Sequence, residues 1–319
     1  MKKLLPVLFA AAIVFSLLAG CTANEEIPSV ELSKVGDFSN QPEDAAASLS
    51  LPGGMAGNGI KVANMDNENL TGERADLQYA GQPIDLFVTL YNANNYENEM
   101  ALIVVSDQKQ SRFYVDNNQS PQYVHKVIMP AYSYTVVPIR LMPEDLPDGL
   151  FEHDLWILSV GDVQIDMGDG TVKKLRRAMG YRLHLVSGDP YWAAEKIEEL
   201  IPQEVHVTEM NLAITPRAKI NTSDKTRIFV RDGKAAGTMT FRGRHVGLAQ
   251  TFLLMDYQAI PLTADGDSIF WYEQTGEETI HEFSIDGTDI SGKEVFLLTL
   301  PVGRDGMPDV SERYVLTEQ

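Results

Sequence analysis

The stretch Gln82-Pro83-Ile84-Asp85-Leu86-Phe87-Val88-Thr89-Leu90-Tyr91-Asn92 alternates Ile84, Leu86, Val88 and Leu90 with Asp85, Phe87 and Thr89. Successive side chains of a strand point to opposite faces, so this spacing predicts a β-strand with one face in a core. Met179, Tyr181, Leu183 and Leu185 repeat the pattern against Gly180, Arg182 and His184. Shorter apolar runs lie between them, at Ala101–Val105, Arg112–Val115, Tyr132–Ile139 and His153–Val160. Turn clusters separate the runs: Asn92-Ala93-Asn94-Asn95, Asp116-Asn117-Asn118, Pro143-Glu144-Asp145 and Gly168-Asp169-Gly170. Short strands at this rhythm predict a sandwich, and connections too short for helical crossovers predict antiparallel pairing.

The second half repeats the texture. Strands are expected at Arg227–Val230, Thr238–Arg242, Thr251–Asp256, Ser268–Tyr272, Thr279–Ile285, Glu294–Leu300 and Tyr314–Leu316, punctuated by Asp-Gly and Gly-rich turns. The run Phe151–Gly161 resembles Gly292–Gly303, each an apolar strand that ends in Val-Gly. Between the halves, Asp189 is a good N-cap, Pro190 fits the first helical position, and Pro202 enforces a stop. The fold expected is therefore mostly β, with two antiparallel β-sandwich domains in tandem, 58–187 and 204–319, joined by a connector helix over 188–203. The Gln82–Asn92 stretch also resembles the early core strand of bacterial immunoglobulin-like extracellular modules, a resemblance that bears on fold class.

The N-terminus carries a different message. Lys2 and Lys3 precede an apolar run from Leu4 to Leu18, and the small residues Ala19 and Gly20 lead to Cys21, the only cysteine. A positive start, a short apolar core and a small-residue exit form a secretory signal, too short for a spanning helix of about 20 residues. Leu18-Ala19-Gly20-Cys21 resembles the lipobox of bacterial lipoproteins. That resemblance implies cleavage between Gly20 and Cys21, removal of the signal peptide 1–20, and a diacylglyceryl thioether on Cys21. Two acyl chains anchor stably where one does not. Residues 21–57, the lipidated cysteine and a Ser-, Asn-, Glu- and Pro-rich stretch, read as a disordered tether, with Ser29–Leu32 as the segment able to pack as an edge strand.

The formal net charge is −19 and the pI near 4.6. A nucleic-acid partner would call for a basic footprint, so no nucleic-acid function is expected. The acidity suits a solvated, soluble surface.

No chemistry beyond Cys21 stands out. The histidines His125, His153, His184, His206, His245 and His281 are scattered, without zinc-ligand spacing. Asp162, Asp166, Asp169 and their glycines are followed by Lys173 and Lys174, which favours a hairpin over a calcium loop, and the pair Asp265 and Asp267 reads as a turn as well. Ser106-Asp107-Gln108-Lys109 has the Ser-x-x-Lys spacing of penicillin-recognising enzymes, but it follows a strand and lacks a Lys-Thr-Gly partner. Phe270-Trp271-Tyr272 is the richest aromatic cluster and reads as a core strand. Trp156 and Trp192 read as packing residues. No catalytic residue, metal ligand or cofactor site is assigned.

The expectation is a membrane-anchored, extracytoplasmic lipoprotein. It contacts the bilayer through Cys21 and presents its sandwiches to an envelope protein or glycan as a non-catalytic binding or assembly surface. Two alternatives stand beside it: a carbohydrate-binding module, which requires an exposed Trp271 or aromatic strip, and an envelope hydrolase, which requires converging carboxylates.

Overall fold

The structure, a computed structural model, describes residues 29–31, 33–34, 50–52, 57–64, 74–107, 109–116, 120–146, 152–166, 171–186, 218–224, 226–243, 247–263, 266–273, 278–302 and 307–319. Gly20, Cys21 and the connector helix expected at 188–203 lie outside these residues, as do Trp192, His206, His245 and Asp265.

The first half contains β1 (Ser29–Glu31), β2 (Ser33–Lys34), β3 (Ser50–Pro52), β4 (Asn58–Asn64), β5 (Arg74–Gln78), β6 (Ile84–Asn92), β7 (Asn98–Ser106), β8 (Lys109–Ser111), β9 (Tyr114–Val115), β10 (Val124–Met129), β11 (Ser133–Leu141), β12 (Glu152–Asp166) and β13 (Val172–Val186). The second half contains β14 (Lys219–Asn221), β15 (Arg227–Arg231), β16 (Lys234–Arg242), β17 (Gly247–Met255), β18 (Gln258–Ile260), β19 (Ser268–Glu273), β20 (Glu278–Asp286), β21 (Glu294–Pro301), β22 (Asp309–Val310) and β23 (Tyr314–Glu318). The expected mostly-β fold is what forms. A single 3-10 turn over Pro143–Asp145 is the one helical element among the described residues.

Two sheets make the first sandwich. One has the order β2-β11-β6-β4, and the other β10-β7-β12-β13-β5. The alternation in β6 does what its spacing predicts. Leu86, Val88 and Leu90 face inward, where they meet Met100, Leu102 and Val104 of β7, Leu155 and Ile157 of β12, and Leu183 and Leu185 of β13. The second sandwich is one large sheet, β14-β16-β15-β23-β21-β17-β18 with β19, β20 and β22 attached, folded over its own core. Met239 and Phe241 of β16 and Phe283 and Ile285 of β20 there pack with Leu253 of β17 and Val295 and Leu297 of β21.

A third apolar cluster joins the two. The outer faces of β7, β12 and β13 contribute Ala101, Ile103, Val105, Trp156, Leu158, Val160 and Ala178, and the second sandwich contributes Phe252, Leu254, Tyr257, Phe296, Leu298, Leu300 and Val310. The likeness between Phe151–Gly161 and Gly292–Gly303 thereby acquires a physical cause. Both runs supply a strand buried on both faces, so neither has a polar side to show.

Two details add to the expected fold. Pairing is mostly antiparallel, but three pairs are parallel: β11 with β2, β13 with β5, and β15 with β23. In each the partner is distant in sequence, so the chain between is long enough for the crossover that parallel pairing requires. Within 21–57 two short pairings are described. Ser29–Glu31 pairs with Ser50–Pro52, and Ser33–Lys34 adds to the edge of β11, which offers unpaired backbone groups. Of the edge strand named at Ser29–Leu32, Ser29–Glu31 pairs within the segment, while the addition to the sandwich comes from Ser33–Lys34.

The turn expected at Asn92-Ala93-Asn94-Asn95 begins on a strand end and closes the first sandwich with buried amides. Asn92 Nδ2 donates toward the carbonyl oxygens of Tyr96 (2.8 Å) and Pro130 (2.9 Å), and its Oδ1 accepts from Asn94 Nδ2 at 2.7 Å. Asn94 Nδ2 and Asn98 Nδ2 both reach Asn58 Oδ1, at 3.0 and 2.8 Å. These amides satisfy backbone groups that the strand ends leave unpaired.

Gly180 sets the closeness of the two sandwiches. A Cβ there would lie 2.6 Å from Pro308 Cγ and 2.7 Å from Leu158 Cδ2. Gly180→Val should therefore destabilise the protein by about 1–3 kcal/mol through overpacking. The measurement is the urea midpoint against wild type; an unchanged midpoint would show that the interface is not packed this tightly.

Candidate interaction groove between the two sandwiches

The long β12–β13 hairpin reaches past the end of β7, whose pairing with β12 stops at Met100↔Gly161. Its tip segment carries Asp162 and Arg176 as cross-strand partners. The Arg176 side chain is buried (4% exposed) and lies against the second sandwich. Nε donates to Asp162 Oδ1 at 3.3 Å, and Nη2 to Glu294 Oε2 at 3.1 Å. Arg313 completes the arrangement by donating to Glu294 Oε1 at 2.9 Å, with Asp162 Oδ2 3.6 Å away. The Arg176 guanidinium also sits 4.8 Å from the ring centres of both Tyr257 and Phe296. The result is a charge-balanced clamp between the halves, seated on aromatic faces that favour a cation.

Tyr257 is placed for this by an unusual backbone. Asp256 and Tyr257 have φ of 48° and 71°, the left-handed pair of a two-residue hairpin turn between Met255 and Gln258. Burial pushes the Tyr257 phenol up to about 12, and the nearby carboxylates of Asp162, Glu99 and Glu294 act in the same direction against Arg176. Gln110 ties the same turn to the first half. Its Nε2 donates to Tyr257 O at 2.9 Å, and its Oε1 accepts from Ala259 N at 2.7 Å.

Beside the clamp lies a groove of about 1050 Å³ between β13 and the second sandwich. From β13 it is lined by Lys173, Lys174, Arg176 and Arg177, and from the second half by Lys219, Arg242 and Arg313. Asp162, Glu278, Asp309 and Glu312 are the acids along it. Ala178, Met179, Pro308 and Val310 give it an apolar floor.

A separate polar cluster lies on the outer face of β12 and β13. Asp154 accepts from Arg182 Nη2 and lies 3.1 Å from His184 Nδ1, and Arg182 packs over Trp156 at 5.9 Å. Burial raises the Asp154 carboxyl, but the His184 hydrogen bond and the Arg182 charge outweigh it, so the net direction is down.

The residues singled out in the sequence fall as follows. Trp271 is buried: it stacks on Phe241 at 5.3 Å and donates from Nε1 to Thr251 Oγ1 at 2.9 Å, so it offers no sugar platform. Ser106 and Lys109 are paired across a tight hairpin with Ser106 fully buried, not on one helix face. Asp162 is an ion-pair partner, and Asp267 Oδ2 accepts from Gln110 N at 3.1 Å. His125 is half-buried beside Gln122, and His281 lies 5.0 Å from the Phe241 ring; burial lowers the pKa of both. His184 binds Asp154, and the side chains of His153 and Asp166 lie outside the description. Among the described residues no group of three potential metal ligands forms, and no helix is long and apolar enough to cross a membrane. The basic groove and the clamp were missed. Lys173-Lys174-Leu175-Arg176-Arg177, a dense basic run in an acidic chain, was the signal available.

No family model and no curated protein matches this chain. Among solved structures it is similar to a pilin–chaperone complex of Salmonella enterica, SafA with SafB (12% identity, 81% of this chain and 96% of that chain, TM-score 0.27). It is also similar to AggA, the major fimbrial subunit from Escherichia coli (7%, 41% and 96%, TM-score 0.27). Red sea bream transglutaminase is similar over 76% of this chain, at 9% identity and a TM-score of 0.23, and the chain spans about a third of that protein's length. None of the three reaches a TM-score of 0.5, and the functional reading rests on this chain's own residues.

Two outcomes test the polar clusters. Arg176→Ala leaves Asp162 and Glu294 with Arg313 as their shared cation, empties the space over Tyr257 and Phe296, and should cost about 3 kcal/mol in chemical denaturation. Asp154 has a folded-state pKa below its ordinary 3.8, so its contribution is present above that value and is lost as pH falls through the lower folded-state pKa. Asp154→Asn should lower stability at neutral pH and flatten the acid limb of a stability-versus-pH curve. An unchanged acid limb would mean that Asp154 is not held ionised.

Proposed function

We propose that this chain is a membrane-anchored envelope lipoprotein whose two sandwiches act together as a non-catalytic binding or assembly body. The observation that supports this most is the interface itself. Fourteen buried apolar residues drawn from both halves form one cluster, flanked by the Arg176 clamp. A body joined in this way presents a surface of set geometry and is poorly suited to opening and closing around a substrate. The carboxylates that the hydrolase alternative would recruit at this junction, Asp162 and Glu294, are engaged by arginines. The glycan alternative loses Trp271 to the second core.

In this reading the lipid on Cys21 holds the body to the membrane. The leader motif Leu18-Ala19-Gly20-Cys21 supports it, and the small residues before the cysteine suit a peptidase that cuts there. Fractionation tests the anchor. Cys21→Ala should move the protein from the membrane fraction to soluble or unprocessed pools. An unchanged distribution would overturn the lipoprotein reading.

A further inference from the structure

We propose that one end of the first sandwich, where β4 and β11 begin and β6 ends, faces the bilayer at close range. The pairings of Ser29–Glu31 and Ser33–Lys34 hold it there. The inference rests on the lipid anchor at Cys21 proposed above and deepens it by naming the surface that meets the membrane.

Two sets of pairings fix the geometry. Ser29↔Pro52, Val30↔Leu51 and Glu31↔Ser50 bring two distant points of the N-terminal segment side by side. Ser33↔Ser133 and Lys34↔Tyr134 fasten the same segment to the edge of β11. Both lead to one place. Pro52 is five residues from Gly57, whose carbonyl oxygen accepts from Ala93 N at 2.8 Å. Ser133 pairs with Asn92, and Asn92 pairs with Asn58 on its other side. Gly57, Asn92 and Ser133 therefore mark one end of the sheet β11-β6-β4, the end closed by the buried amides.

The consequence is reach. Eight residues separate Cys21 from Ser29, and at roughly 3.4 Å per residue they extend to about 28 Å at most. If the chain first met the body at Gly57, thirty-six residues would extend to about 125 Å. The pairing of Ser29 with Pro52 thus removes most of the stand-off that the segment could give. The opposite end of the sheet, where Ile84 pairs with Leu141, lies eight residues away along β6, or about 26 Å. A lipid on Cys21 holds the near end closer to the bilayer than the far end.

The chemistry of the near end suits a headgroup surface. Tyr132 is 39% exposed at the turn between β10 and β11, with φ of 48°. Its backbone N–H donates to Asn94 O at 3.1 Å, which seats that turn on the amide cluster. A tyrosine offers an apolar ring and a polar tip, the combination that favours headgroup depth. Asn95 and Glu97 are exposed at the same end, and the cost of taking Glu97 out of water stops this end at the headgroups.

The test couples residues 21–319, which include every described residue, to vesicles. The Cys21 thiol, the only one in the chain, reacts with a maleimide lipid, so the result does not depend on acylation in the cell. Acceptor dye labels the phosphatidylcholine headgroups, and a genetically encoded fluorescent amino acid replaces either Asn95 at the near end or Lys109 at the far end. With the two ends about 26 Å apart, energy transfer from Asn95 should exceed that from Lys109 at least about twofold. Two insertions of the same flexible Gly-Ser stretch, about 20 residues long, then separate the possibilities. Placed between Asn24 and Glu25, outside the pairing, the stretch should lower transfer from Asn95. Placed between Asp44 and Ala45, inside the loop that the pairing closes, it should leave transfer unchanged. Circular dichroism checks that each variant is folded. Equal transfer from the two ends, or an equal loss from the two insertions, overturns the inference and leaves the lipid anchor untouched. Failure of the Cys21→Ala fractionation sinks the anchor itself, whatever the vesicles show.

Discussion

Burial of both faces of the central strands is the constraint on which the rest of the structure depends. In β12, Leu155 and Ile157 enter the first core while Trp156, Leu158 and Val160 enter the interface. In β21, Val295 and Leu297 enter the second core while Phe296, Leu298 and Leu300 enter the same interface. Each strand therefore holds together two layers at once. A side chain of this size contributes on the order of 2 kcal/mol when fully buried, so separating the sandwiches would expose a large apolar area to water.

Polar groups then fix how the halves meet. Apolar contact is non-directional and tolerates sliding. The Arg176 clamp, the Gln110 amide at the Tyr257 turn and the close approach at Gly180 do not. A buried ion pair adds little net stability, but breaking it is expensive, so it acts chiefly to exclude other arrangements. Registration of β13 against the second sandwich in turn creates the groove and gathers its cations.

The acidic balance of the chain and its basic groove belong together. Most of the surface repels anions and keeps the molecule soluble, which leaves the groove as the contrasting feature.

The sequence by itself determined the class of fold. Period-two alternation in Ile84–Leu90 and Met179–Leu185 predicts strands because a pleated backbone sends alternate side chains to opposite faces, and those residues sit where that rule puts them. It also carried the run Leu18–Cys21, whose likeness to a lipobox is read from local residues and needs no fold. It showed the apolar runs Ala101–Val105 and Glu294–Leu300 but not their meaning, because a run without a polar face fits any doubly buried strand and does not name the second layer. Only the tertiary structure decided that the second layer is the other sandwich. The same holds for Arg176, Glu294 and Arg313. Arg176 lies more than a hundred residues from the other two, and only the docking of β13 brings its charge to theirs.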